Sequence, residues 1–243
     1  MPSRFRHKAV AFSDALLKAI MAKKKKAPPP EPFARLCLVT PAGLDPEAFA
    51  PMLDAVLKAG DVATLFIVSE TSNAAELQRI AEALVPVAHA NGVAAIVPND
   101  TRLFGRARAD GLHVDTGLAD LKDAVAALRP DHIVGAGGVT TRHDAMLAAE
   151  TDCDYIFFGR FDGDTGEQSF DKAFDLAAWW SAVFEIPAIV MGGSSLASVE
   201  PAVDAHVEFV ALRSAIWNHA AGPVAAVTEA NALIAARQAE ATE

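Results

Sequence analysis

Eight short apolar runs recur along this chain, each followed by a longer stretch with helical spacing, and that alternation constrains the fold more than any other feature. The runs are Leu36–Thr40, Ala63–Val68, Ala94–Val97, Gly111–Val114, His132–Gly135, Tyr155–Gly159, Ala188–Met191 and Glu208–Leu212. Helical stretches follow at Pro46–Ala59, Ala74–Asn91, Leu118–Leu128, Arg142–Glu150, Asp171–Phe184, Ser195–Val203 and Pro223–Arg237, with only a turn or two at Arg102–Ala109. Such a chain builds repeated βα units on a parallel sheet. The runs are solidly apolar rather than alternating, as strands covered on both faces require. Eight units joined by right-handed crossovers close into a (β/α)8 TIM barrel, whose usual length matches 243 residues. A doubly wound sheet, the alternative, usually has fewer strands.

Ahead of the first run the chain has a different character. Phe5, Val10, Phe12, Leu16, Leu17, Ile20 and Met21 fall loosely at helical spacing and predict an amphipathic helix, which the Lys23–Lys26 run and Pro28, Pro29, Pro30 and Pro32 end as a stiff basic linker. The expected division is therefore an N-terminal helix and linker over residues 1–32 and a barrel domain over 33–243. Residues 1–30 carry eight Lys or Arg against Asp14 alone, so a net charge of −10 for the whole chain leaves −17 for the rest. An acidic body excludes general nucleic-acid binding, which needs a basic face. The basic helix suits contact with an anionic membrane or a protein, or is simply a solvated extension. No signal peptide or membrane span is legible in it, and Cys37 and Cys153 read as two buried thiols rather than a disulfide or metal site; both point to the cytoplasm. A homo-oligomer is left open.

In a barrel of this kind the chemistry sits just after the strands, at their C-terminal ends. The seventh run ends in Gly192-Gly193-Ser194-Ser195 and the eighth in Arg213-Ser214-Ala215-Ile216. Glycines let backbone approach an anion closely, amides opening a following helix point at it, and a guanidinium can grip it bidentately. Gly192, Gly193, Arg213 and Ser214 are thus the expected phosphate site, with a plain tight turn as the alternative. Asn99 and Asp100 suit a hard cation such as Mg2+ or a polar substrate, although Asn-Asp is also an ordinary turn pair. His113 lies within a run, where a role in the barrel interior competes with catalysis. Asp115 follows it. The loop Gly159–Glu167 is acidic and glycine-rich, and is expected to be a mobile, solvated lid; the spacing of Asp162, Asp164 and Glu167 does not match a calcium loop. Gly135–Gly138 is expected to open the helix of Arg142 and His143 without meeting a dinucleotide fingerprint. No Ser-His-Asp or Cys-His arrangement can be assembled.

These motifs, in this order, resemble the thiamine-phosphate synthase and TenI-like family of barrels. The strings that carry the resemblance, over about residues 35–236, are Leu38-Val39-Thr40, Ala63-Thr64-Leu65-Phe66, Asn99-Asp100, Ala109–Val114, Asp154–Gly159, Gly192-Gly193 and Ser214-Ala215-Ile216. The resemblance implies a transferase that joins a thiazole phosphate to a pyrimidine diphosphate, with magnesium holding the leaving diphosphate. By it, Asn99, Asp100 and His113 are the catalytic candidates, and Asp100 with Asp115 the metal candidates, although Asp115 and Asp120 both stand out of register with the family's second carboxylate. The family's Arg and Lys after the second strand fall at Ser69 and Thr71, its Gln at Ile67 and its Ser after the fifth strand at Gly137. Its Thr-x-Thr-Lys loop is replaced by the acidic segment from Asp162 to Glu167. Fewer cations weaken a diphosphate site, so the expectation is a divergent member that binds a phosphorylated small molecule through a degraded diphosphate site. The alternatives are a non-catalytic sensor built on the same barrel, and an enzyme of altered specificity using Asp100, His113 or Asp115 for acid–base work.

Overall fold

The computed structural model describes residues 34–69 and 73–240. The helix and linker expected over residues 1–32, the boundary at Phe33 and the position of Thr71 lie outside the described residues. Within them, eight parallel strands pair in chain order: β1 (Arg35–Val39), β2 (Val62–Phe66), β3 (Ala94–Pro98), β4 (Gly111–Val114), β5 (Ile133–Val139), β6 (Tyr155–Phe158), β7 (Ala188–Met191) and β8 (Phe209–Leu212). The ring closes where β8 returns to β1, with Leu36 opposite Val210 and Leu38 opposite Leu212. The expected (β/α)8 barrel is what the chain forms.

Nine helices surround the described strands: α1 (Pro46–Leu57), α2 (Ala74–Ala90), α3 (Thr101–Ala107), α4 (Leu118–Leu128), α5 (Arg142–Ala149), α6 (Asp171–Ser181), α7 (Val199–Asp204), α8 (Ser214–Trp217) and α9 (Pro223–Glu240). Several start where the sequence supplies a cap. Asp45 precedes Pro46 and accepts from the Glu47 amide; Asn73, Asp100 and Thr141 do the same for α2, α3 and α5. The strands bury both faces because successive side chains point opposite ways. Cys37 and Val39 fill the barrel interior with Phe66, Phe157 and Met191, while Leu36 and Leu38 join the layer under the helices.

An acidic residue stands immediately before each even-numbered strand. Asp110, Asp154 and Glu208 each accept a backbone N–H from the start of the preceding odd strand, at Ala95, Val134 and Ala188, over 2.8, 2.8 and 2.9 Å. Each also takes a second partner from the connection behind it: His89, Arg129 and Ser181. Asp61, before β2, instead holds the Arg35 guanidinium of β1 in a two-pronged contact. These carboxylates pin the bottom of the barrel, opposite the mouth.

Two expectations change. Gly135–Gly138 does not open a helix; β5 runs on through it to Val139, which pairs with Phe158 after a shift in register. The helix expected over Ser195–Val203 is a 3-10 turn, Leu196–Ser198, followed by α7. Pro201 explains the break, since it has no N–H to return to the carbonyl of Ala197.

Candidate active site at the barrel mouth

On one side of the mouth the ends of β3 and β4 are tied together. Asn99 adopts a left-handed backbone (φ 54°), and its side chain donates to Asp115 Oδ1 at 2.7 Å while accepting from the Asp115 amide at 3.0 Å. Asp100, the next residue, caps α3: its Oδ1 accepts from the amides of Arg102 at 2.8 Å and Leu103 at 3.0 Å. Asn99, Asp100 and Asp115 therefore share one rim, but all three are already working as structural acceptors. Among the described residues no group of three or more His, Cys, Asp or Glu gathers to hold a metal ion.

His113 lies below this rim inside the barrel, fully buried, with Nδ1 3.0 Å from the Tyr155 hydroxyl. Burial holds its pKa down at about 4, against the opposing pull of the nearby Asp115 carboxylate, so the ring is neutral at neutral pH. Burial likewise pushes the Tyr155 phenol well up. Phe66 and Phe157 meet the His113 ring edge-on, with centroids 5.9 and 5.4 Å away. A Cβ on Gly137 would run into His113 Nε2, so the glycine found where the resembling family has Ser is what lets the imidazole lie against β5.

On the other side, the backbone after β7 and β8 presents amides as expected, but they already have acceptors within the chain. The segment after β6 folds across them. Ser194 N donates to the Gly166 carbonyl at 2.7 Å, Ser195 N to the Glu167 carbonyl at 3.3 Å, and Ser214 N to Asp164 Oδ2 at 2.8 Å. Gly193 is needed for this approach, because a Cβ there would collide with the Glu167 backbone. Arg213 Nη1 donates to the Phe161 carbonyl at 3.3 Å. Ser214 Oγ is buried with no hydrogen-bond partner.

The same segment also covers the barrel interior. Phe161 sits on the aromatic floor, with ring centroids 4.7 Å from His113, 5.0 Å from Phe157 and 5.2 Å from Phe66. The loop expected to be a mobile, solvated lid is exposed along much of its length but anchored in the mouth by one ring and one carboxylate. Gly192, Gly193, Arg213 and Ser214 lie at the ends of β7 and β8, with Asn99, Asp100, Asp115 and His113 on the facing side, while Tyr155, Phe161 and Asp164 join the mouth without having been expected there. Tyr155 was hidden because it reads as an ordinary strand residue. Phe161, a lone aromatic in a run of Gly and Asp, was the legible signal for a segment that turns inward.

The fold and this mouth define the class: a (β/α)8 barrel whose last two strands end in amides that donate to carbonyl oxygens after β7 and to a carboxylate after β8. The family model for thiamine monophosphate synthase matches residues 36–216, three quarters of the chain. The thiamine-phosphate synthase of Rhodospirillum centenum is 36% identical over 198 residues, covering 81% of this chain and 96% of that protein. That of Hyphomonas neptunium is 34% identical over 210 residues, covering 84% and 95%. This chain belongs to the thiamine monophosphate synthase family. A solved structure, thiamine phosphate pyrophosphorylase from Pyrococcus furiosus, superposes with a TM-score of 0.65 at 17% identity over 85% of this chain and 98% of that one, a likeness of fold.

Proposed function

We propose that this chain binds a phosphorylated small molecule of the thiamine-phosphate type at the barrel mouth, with the phosphate held by the ends of β7 and β8. One observation carries the reading: Ser214 N already holds an anionic oxygen, that of Asp164, where a phosphate oxygen would be received. Arg213, beside it, supplies the positive charge, and the buried Ser214 Oγ is a donor awaiting an acceptor. The relatives named as synthases favour an enzyme over the sensor reading. Titration calorimetry with thiamine phosphate, thiazole phosphate and inorganic phosphate tests it. Binding of the phosphate esters, weakened about tenfold in Arg213→Ala, is expected; no binding to any of the three would sink the proposal.

The tied rim of β3 and β4 favours a second reading, transfer between a thiazole phosphate and a pyrimidine diphosphate. Magnesium fits this rim only as a shared ion. Asp115 and the second oxygen of Asp100 supply hard donors, and the diphosphate of the substrate would complete the shell. Once bound, the ion would stabilise negative charge on the leaving diphosphate. Asn99 keeps Asp115 aimed, and the neutral His113 offers a hydrogen bond rather than a charge. The site as a whole is poorer in cations than the resembling family's, so turnover is expected to be slow. Diphosphate release in the presence of magnesium, lost in Asp100→Ala and His113→Ala, is the matching assay. The two buried free thiols accord with a cytoplasmic protein.

A further inference from the structure

The segment Arg160–Ser169 behaves as an occupant of the site rather than as its wall. Three backbone amides on two different strand ends, Ser194, Ser195 and Ser214, all spend their hydrogen bonds on it. One of the three acceptors is a carboxylate, the side-chain group that most resembles a phosphate in charge and geometry. Three residues earlier, Phe161 covers the aromatic floor formed by Phe66, His113 and Phe157. A ring and an anion on one short piece of chain thus fill the two kinds of space that a ring-bearing phosphate would need. The Arg160 guanidinium, which would otherwise attract a phosphate to this loop, is held in a two-pronged exposed pair with Asp162.

We propose that Asp164 is a specificity-determining residue: its carboxylate competes directly with the ligand's phosphate for the Ser214 amide, so the mouth accepts a phosphate only by displacing its own chain. This rests on the phosphate-binding reading given above. The barrel discriminates against small free anions, which gain too little to expel the segment. A larger phosphate ester can take the place of Phe161 and Asp164 together.

Calorimetric titration with inorganic phosphate of the full chain, Asp164→Asn, Asp164→Ala and Glu167→Gln decides the matter. Removing a carboxylate that competes for one charge-assisted hydrogen bond tightens phosphate binding by about tenfold or more in Asp164→Ala, and by less in Asp164→Asn, whose amide oxygen still accepts from Ser214. Glu167→Gln makes the same change of charge in the same loop but leaves the Ser214 contact alone, and is expected to shift affinity by no more than about twofold. Melting curves confirm that each variant is folded, and Asp164→Asn is the conservative variant that keeps the loop's contact. Equal phosphate affinity in all four proteins overturns the competition while leaving phosphate binding intact. Glu167→Gln tightening binding as much as Asp164→Asn overturns it too, because general repulsion would then suffice. Absence of inorganic phosphate binding in all four overturns the competition, and absence of thiamine phosphate binding in all four as well removes the reading it rests on.

Discussion

Cys37 and Cys153 show how far a single residue's chemistry is set by where the fold puts it. Both are free and buried, and burial pushes each thiol up to about 12 from an ordinary value near 9. Below pH 9 both are protonated folded or unfolded, and the shift does not touch stability. Between pH 9 and 12 the unfolded chain releases those protons while the folded chain keeps them, so folding loses up to about 4 kcal/mol per thiol as pH rises. Cys37→Ala is expected to flatten the alkaline arm of a melting-temperature profile. Iodoacetamide at pH 8 should leave the native protein unmodified and label two sites once urea is added; labelling of the native chain would contradict the burial. The pair was legible as buried thiols from the apolar runs around them. His113 was only half legible: its place in a strand was plain, but its bond to Tyr155 joins positions 42 residues apart, which no local pattern reveals.

At the scale of elements, the carboxylates before β4, β6 and β8 do what a barrel of short strands needs. They satisfy a backbone donor near the beginning of β3, β5 and β7 that would otherwise need another acceptor. Asp154 is more buried than Asp110, and burial raises its pKa while the Val134 amide and Arg129 oppose that shift. Replacing it leaves both Val134 N–H and a mostly covered Arg129 without their acceptor. Asp154→Ala is expected to cost about 3 kcal/mol. Asp110→Ala, whose His89 partner is more exposed, should cost about half that, as urea denaturation midpoints would register. Equal and negligible losses would mean that these bonds do not hold the strand ends. The positions of these acids could be read from the sequence, since each directly precedes an apolar run. Their function could not, because the amide each one caps belongs to a different strand. The same limit applied to the Ser195–Val203 region, where helical spacing concealed the interruption at Pro201.

Across the whole molecule, charge is divided between an acidic barrel and a basic leader of eight Lys or Arg within its first thirty residues. Vesicles with anionic headgroups are expected to retain the full chain at low salt and release a chain lacking residues 1–32, since each basic residue near such a surface contributes about 1 kcal/mol. Co-sedimentation that does not change on deletion would remove the leader from this role. No helix among the described residues is long and apolar enough to cross a membrane. The barrel itself was legible because its periodicity is repeated eight times, so an error of two residues at any one boundary leaves the topology intact. The state of the mouth was not, because it depends on where the twelve-residue connection between β6 and α6 folds, and glycine-rich acidic sequence encodes that only through long-range contacts. The pairing of β8 with β1 carries one more consequence. The chain's described ends meet there, with Gln238 on α9 donating to the Ala34 carbonyl. A ring of βα units has no structural first member, so a circular permutant that joins these ends and opens between two other units is expected to close the same barrel, as its circular dichroism and melting curve would register.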